Sequence, residues 1–214
     1  MQGVAEVLEK LLRRYPELQS CRSSIEEAYH LLCESFKEEK KLLLCGNGGS
    51  CADCDHIAGE LLKGFCRNRP LSQEQKNFLQ AMASERGGML GEKLQQAFPV
   101  VNLCAHSAVI TAVANDTDAN LIFAQQIMGL GEQGDVLLCV CPKGYAENVL
   151  NAIAAARLKG MKVIGMTSES GGDMRDLCDV RIGVPEQEVY LTQELHLPVY
   201  HALCLMLEAH FFKE

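Results

Sequence analysis

The sequence has no apolar run of the roughly 18 residues that a membrane-spanning helix needs, and nothing in it reads as a secretory leader. Met1–Arg14 carries Glu6, Glu9 and Lys10 among apolar residues, the pattern of an amphipathic helix. A cytoplasmic protein is the expectation. Positive charge is short as well: 20 Lys and Arg against 28 Asp and Glu give a net charge of −8. Nucleic acid and anionic membrane are held through bulk positive charge, so neither is an expected partner. An anionic ligand would have to be gripped locally, by backbone N–H groups and a few side chains. No repeat, low-complexity tract or linker interrupts the 214 residues, and a single domain over 1–214 is expected.

Cysteine, by contrast, is plentiful: eleven, an odd number, several inside apolar runs. Without a secretion signal these read as reduced, small core residues. Only Cys51-Ala-Asp-Cys54 has metal or redox spacing. A four-cysteine zinc site needs a second such pair, and Cys139-Val-Cys141 has the wrong spacing.

Hydrophobic patterning alternates between strand-like and helix-like. Two helices fill residues 1–40, the second over Ser24–Lys37. Apolar strands are expected at Lys41–Cys45, Pro99–Cys104, Asp135–Cys141, Lys162–Met166 and Val180–Val184. Helices are expected at about Cys51–Leu62, Ser107–Asn115, Asn120–Leu130, Glu147–Lys159 and Leu191–Phe212. Pro198 is tolerable in a first turn or as a kink, which suggests that the last helix proper begins near it. Gly160 stands where a C-terminal glycine cap belongs. Strands alternating with helices give a parallel sheet covered on both faces. The fold class is therefore α/β: a three-layer αβα sandwich on a five-stranded parallel sheet, with N-terminal helices. Residues 71–97 read as a helical insertion, capped by Ser72 and broken at Gly87-Gly88; a flap over a site, core packing and an oligomer contact all suit it.

Three groups carry chemistry. Gly46-Asn47-Gly48-Gly49-Ser50 follows a strand and opens a helix, the layout of an anion site on a helix N-terminus, though an ordinary turn has the same layout. His56 and Glu60 are four apart and share a helix face. Such a pair can bind a metal, share a proton or simply face solvent. Gln193, Glu194, His196 and His201 gather in an otherwise apolar helix. At 3.6 residues per turn Gln193 and His201 point to one side.

In this order and near-spacing, Cys45-Gly-Asn-Gly-Gly-Ser50, His56-x-x-x-Glu60, Asn115-Asp116, Gly134-Asp-Val-Leu-Leu138 and Gln193-Glu-x-His196-x-x-x-x-His201 resemble the phosphoheptose isomerases of the sugar isomerase (SIS) domain superfamily. The resemblance runs from about Glu26 to Glu208, apart from the insertion. It implies an aldose–ketose isomerase acting on sedoheptulose 7-phosphate through an enediolate, with Glu60 as base and His201 as acid. Asn47, Gly48, Gly49, Ser50, Glu60, Asn115, Asp116 and Gln193 would bind the sugar phosphate. It also implies a homotetramer with sites at subunit contacts and, in some members, Zn²⁺ on His56, Glu60, Gln193 and His201. A zinc-bound Glu60 would be a poorer base, so its two roles compete.

One segment departs from the family. Where a Ser-Thr-Ser-Gly-Asn-Ser loop usually wraps the phosphate, this chain has Cys141-Pro-Lys-Gly-Tyr-Ala146. The hydroxyls are gone and Pro142 has no N–H to give. At about 1.5–3 kcal/mol per hydrogen bond to a charged group, losing three or four costs on the order of thousands-fold in affinity. Lys143 can supply a point charge instead, and Thr167, Ser168 and Ser170 lie after the fourth strand. The competing reading is a non-catalytic SIS module that binds a sugar phosphate or a protein partner, as does the bacterial protein that associates with the replication initiator. Retention of Glu60 and His201 favours the enzyme; the lost loop favours the module.

Overall fold

The computed structural model describes residues 3–212. Helix α1 (Val4–Arg14) and a 3-10 turn (Pro16–Cys21) lead into α2 (Arg22–Lys37). Strand β1 (Leu42–Gly46) runs through the glycine turn into α3 (Gly49–Leu62). Then follow α4 (Gln73–Lys93), β2 (Val100–Asn102), α5 (Ser107–Asp116) and α6 (Ala124–Leu130). The last part is β3 (Val136–Val140), α7 (Glu147–Leu158), β4 (Lys162–Ser168), β5 (Val180–Val184) and α8 (Val189–Phe211).

The five strands are all parallel, in the order β2-β1-β3-β4-β5. Successive strand residues point to opposite faces, and the two cores follow that alternation. Leu42, Leu44, Val136, Leu138, Val140, Ile164 and Met166 pack with α1, α2, α3 and α8 on one face. Leu43, Cys45, Leu137, Cys139 and Val163 pack with α6 and α7 on the other. Both faces of the central strands are buried, which is why β1 and β3 are uninterrupted apolar runs, while the edge strand β5 alternates and carries Arg181. The expected three-layer α/β architecture is present.

The chain turns from β1 toward β2 on one side and later places β3 on the other. A crevice therefore opens beyond the carboxyl ends of β1 and β3, where open α/β sheets take their ligands. The turn 46–49 and the loop 141–146 both lie there.

Three local expectations shift. The insertion is helical, but its chain reversal falls at Ala83 and Ser84, where Ser84 has φ 47°. Gly87 and Gly88 lie inside the second arm instead. A Cβ on Gly87 would collide with the Leu79 carbonyl, so this glycine lets the two arms meet rather than separating them. The last helix starts at Val189, and Pro198 is a buried residue of its interior, not of its first turn. Strand β2 is only three residues long, because the chain after Asn102 turns away at an edge.

Candidate active site

The glycine turn sets the first part of the site. Gly48 takes φ 56°, a conformation that side-chain-bearing residues avoid, and it caps α3 without a side-chain hydrogen bond. The Ser50 and Cys51 N–H groups turn back onto the Asn47 and Gly48 carbonyls at 3.0 and 3.1 Å, which leaves the Gly49 N–H for a ligand. Asn47 is fixed beside them by a reciprocal amide pair with Asn148 on α7, at 2.8 and 2.9 Å. Ser50 is buried and accepts from Gln193 Nε2 at 3.5 Å. Gln193 lies so close that a Cβ on Gly49 would come within 2.8 Å of it.

The second part is where α3 and α8 run side by side. His56 Nε2 is 3.3 Å from Glu60 Oε1 and 3.4 Å from His201 Nε2. The carboxylate from the early helix and the imidazole from the last one thus meet at a single atom. The Tyr200 hydroxyl donates to Asp53 Oδ1 at 3.3 Å, so it accepts from His56 Nδ1 at 3.0 Å. His56 Nε2 therefore faces both Glu60 Oε1 and His201 Nε2. Glu60 is left short of donors. Its Oε2 is buried with no hydrogen-bond partner, and Lys63 Nζ is 3.7 Å away. Free lone pairs on a carboxylate are what abstraction of a proton requires.

Electrostatics set the protonation of the imidazole. Burial, then the neighbouring His56, push the His201 pKa below its usual value, against an opposing pull from Glu60. Burial also raises the Asp53 pKa above its usual value, partly offset by the Tyr200 hydrogen bond. His201 is thus a neutral N–H group near pH 7, able to donate to a developing oxyanion without first taking a proton.

Arg69 and Glu208 hold this corner from behind, both essentially without solvent contact. Glu208 accepts from the backbone N–H groups of Phe65, Cys66 and Arg67, and from Arg69 Nε at 2.9 Å. Arg69 in turn donates to the carbonyls of Leu61 (2.8 Å) and Glu60 (3.1 Å). The last turn of α3, which carries Glu60, is fixed to α8 by this buried charge pair. Buried charges survive only when paired and hydrogen-bonded in this way.

The third part is a cleft lined by Asn47, Ser50, Cys141, Pro142, Lys143 and Tyr145. It lies between the uncapped N-termini of α3 and α7. Its walls are mostly apolar, and Lys143 supplies positive charge to it. Glu147 in the first turn of α7 works against an anion there.

Of the residues expected from sequence, Glu60, His201 and His56 are brought together, as are Asn47, Gly48, Gly49, Ser50 and Gln193. Lys143 faces the second group and lines a different cavity from His201. Asn115 and Asp116, at the exposed end of α5, hydrogen-bond to each other at 2.8 Å and to no other candidate. Gln193 is engaged with Ser50, not with His56, and among the described residues no three His, Cys, Asp or Glu side chains are arranged to hold a metal. Asp53, Tyr200, Asn148, Arg69 and Glu208 went unread in the sequence. Asp53 stands one turn before His56 and Tyr200 beside His201, a signal that was present. A carboxylate at position 208 in an apolar helix was another. Nothing marked Asn148.

A model of the SIS domain matches residues 5–102 and 80–168. The phosphoheptose isomerase of a Nitratiruptor species is 35% identical over 190 residues, 89% of this chain and 88% of that protein. The phosphoheptose isomerase of a Synechocystis species is 33% identical, over 92% of this chain and 88% of its own. Among solved structures, a phosphoheptose isomerase from Francisella tularensis superposes with a TM-score of 0.74 at 27% identity, covering 93% of each chain. That from Neisseria gonorrhoeae gives 0.66 at 26% identity, over 94% of this chain and 97% of the other.

Proposed function

This chain belongs to the phosphoheptose isomerases of the SIS domain family, and from that premise we propose that it interconverts D-sedoheptulose 7-phosphate and D-glycero-D-manno-heptose 7-phosphate. The observation that carries the mechanism is the meeting of Glu60 and His201 at His56 Nε2. A ketose-to-aldose conversion removes a proton from C1, passes through an enediolate and returns a proton to C2. Glu60 takes and returns the carbon-bound proton. His201, neutral through burial, donates its N–H to the substrate oxygen as negative charge develops. Asp53 and Tyr200 hold the His56 ring through Nδ1, against Glu60 and His201. The N-terminus of α3, Asn47 and Ser50 bind the sugar phosphate, with Lys143 standing in for the missing hydroxyl loop.

Zinc is the family-derived part of this reading. His56, Glu60 and His201 are nitrogen and oxygen donors of the kind zinc takes, but as placed they do not close into a metal site, and Gln193 is bonded elsewhere. No step above runs through a metal. Assembly is the other family-derived part. Helix α5, SAVITAVAND, has no buried residue despite its apolar composition. An apolar helix left bare is suited to being covered by other copies of the chain. A homotetramer would cover it and bring Asn115 and Asp116 against a site.

The second reading, a module that binds a sugar phosphate or a protein partner without turnover, is favoured by one observation: the apolar walls of the Cys141–Ala146 cleft. A coupled assay across ketose and aldose phosphates, with and without chelator, separates the two. Turnover of sedoheptulose 7-phosphate is the expected result, and its persistence in chelator would assign the chemistry to Glu60 and His201 alone. Binding without turnover, with or without added zinc, would leave only the module.

A further inference from the structure

The loop that carries Lys143 is held by more than its own strand. The Pro142 carbonyl accepts from the Ser168 N–H at 2.7 Å, and the Gly144 carbonyl accepts from the Met174 N–H at 3.3 Å. Segment 168–174, which leaves β4, therefore grips loop 141–146 on both sides of Lys143. Between those two bonds the backbones lie against each other. A Cβ on Gly144 would collide with the Gly171 carbonyl, and a Cβ on Gly172 would collide with the Lys143 carbonyl. Gly144, Gly171 and Gly172 take φ of 70°, 75° and 50°, so the two turns interlock only because side chains are absent from them.

Arg181, on the edge strand β5, closes the arrangement. Its Nη1 donates to Thr167 Oγ1 at 3.1 Å and to the carbonyls of Ser168 and Glu169, both at 3.2 Å. Thr167 Oγ1 in turn donates to the Ser168 carbonyl at 2.8 Å. A Cβ on Gly171 would stand 3.0 Å from the same guanidinium nitrogen, so the arginine lies along the turn that it holds. All three acceptors are uncharged. The positive charge of a half-buried arginine is thus directed at the first carbonyls after β4, a charge-assisted clamp that a neutral side chain would not reproduce.

Such a clamp matters more here than it would beneath a loop of hydroxyls. A lysine is a point charge on a flexible stem. It holds an anion in one place only if the backbone at its root is fixed. We propose that Arg181 is a positioning residue for the phosphate end of the substrate. By clamping residues 167–169 it fixes the Gly171-Gly172 turn, and through that turn the backbone of Lys143. The inference rests on the reading above that Lys143 binds the phosphate. Arg181 does not line the Lys143 cleft and acts only through the two turns.

The test is a double-mutant cycle on the full-length protein, read by calorimetry with sedoheptulose 7-phosphate and with unphosphorylated sedoheptulose. Arg181→Met keeps the stem and removes the donors. The sugar phosphate should bind about fivefold more weakly, with sedoheptulose nearly unaffected. In a Lys143→Ala background the same change should add less than about twofold, because residues that act through one group are not additive. Arg181→Lys, which keeps the charge but not the fork, should fall between. Turnover should show the matching split, a raised KM with kcat retained. A full fivefold loss on top of Lys143→Ala, again about 1 kcal/mol, would mean that Arg181 acts independently of Lys143 and would overturn the proposal. So would equal weakening of both sugars in Arg181→Met, the mark of a general loosening of the fold, or no weakening of either. If Lys143→Ala itself fails to discriminate between the two sugars, the phosphate reading falls and the proposal with it. If Lys143→Ala discriminates and Arg181→Met does not, only the proposal falls.

Discussion

The α3–α8 corner and the β3–α7 loop, which line different cavities, are built on different principles. At the corner, every polar side chain is held by another: Asp53, Tyr200, His56 and His201 in series, with Arg69 and Glu208 behind. Only Glu60 keeps an oxygen without a partner among them, apart from the outer oxygen of Asp53. At the loop, Cys141, Pro142 and Tyr145 offer little hydrogen bonding, and one cation on a long side chain, Lys143, stands for several fixed donors. The contrast teaches that proton transfer needs geometry, which buried networks supply, whereas holding a dianion can be done more loosely by charge.

The largest effect should come from Glu60→Gln, which keeps the shape and removes the base. Turnover should fall by up to about 10⁴-fold, while sugar-phosphate binding measured by calorimetry changes little. Next is Glu208→Ala, which strands Arg69 and three backbone N–H groups in the core. A loss of about 3–5 kcal/mol is expected in chemical denaturation, as for other broken buried pairs. An unchanged midpoint would mean that the corner is not held from behind.

The loop should respond more weakly. Lys143→Ala should weaken phosphorylated ligands about tenfold, the scale of one charge-assisted hydrogen bond, and leave unphosphorylated sugars almost unaffected. Equal weakening of both would remove the phosphate role of Lys143 and sharpen the case for an altered substrate.

The smallest effect concerns His196, which lies on α8 between Gln193 and His201. It is buried, donates from Nε2 to the Thr167 carbonyl at 3.2 Å, and has no partner at Nδ1. Burial takes its pKa down to about 4. Folding therefore favours the neutral ring. Its contribution is complete above about 6.5, the unfolded value, and is lost as pH falls toward 4. The melting temperature should drop across that window, and His196→Leu, less stable at pH 7, should show a shallower drop.

What the sequence made legible followed from periodicity and short spacing. Five largely apolar runs marked the strands, clearest in β1 and β3, where burial on both faces leaves no polar position. His56 and Glu60 could be paired from their i,i+4 spacing. His201 could be joined to them only through family resemblance, since nothing local says that α8 lies beside α3. The same limit hid Tyr200 beside Asp53 and Glu208 beneath residues 65–69. Each is a contact across about 50 or more positions that exists only once the sheet is assembled. Gly87 misled for a different reason. Glycine marks both breaks and close packing, and only the Leu79 carbonyl decides between them.

The most direct measurement is to run the isomerisation of sedoheptulose 7-phosphate in deuterium oxide and read the aldose product by proton NMR. If Glu60 carries the proton through an enediolate, solvent deuterium appears at C2 of the product, and Glu60→Gln forms no labelled aldose. Product made at the full rate with only protium at C2 would mean direct transfer between the carbons, and the account of Glu60 as the proton carrier would be wrong.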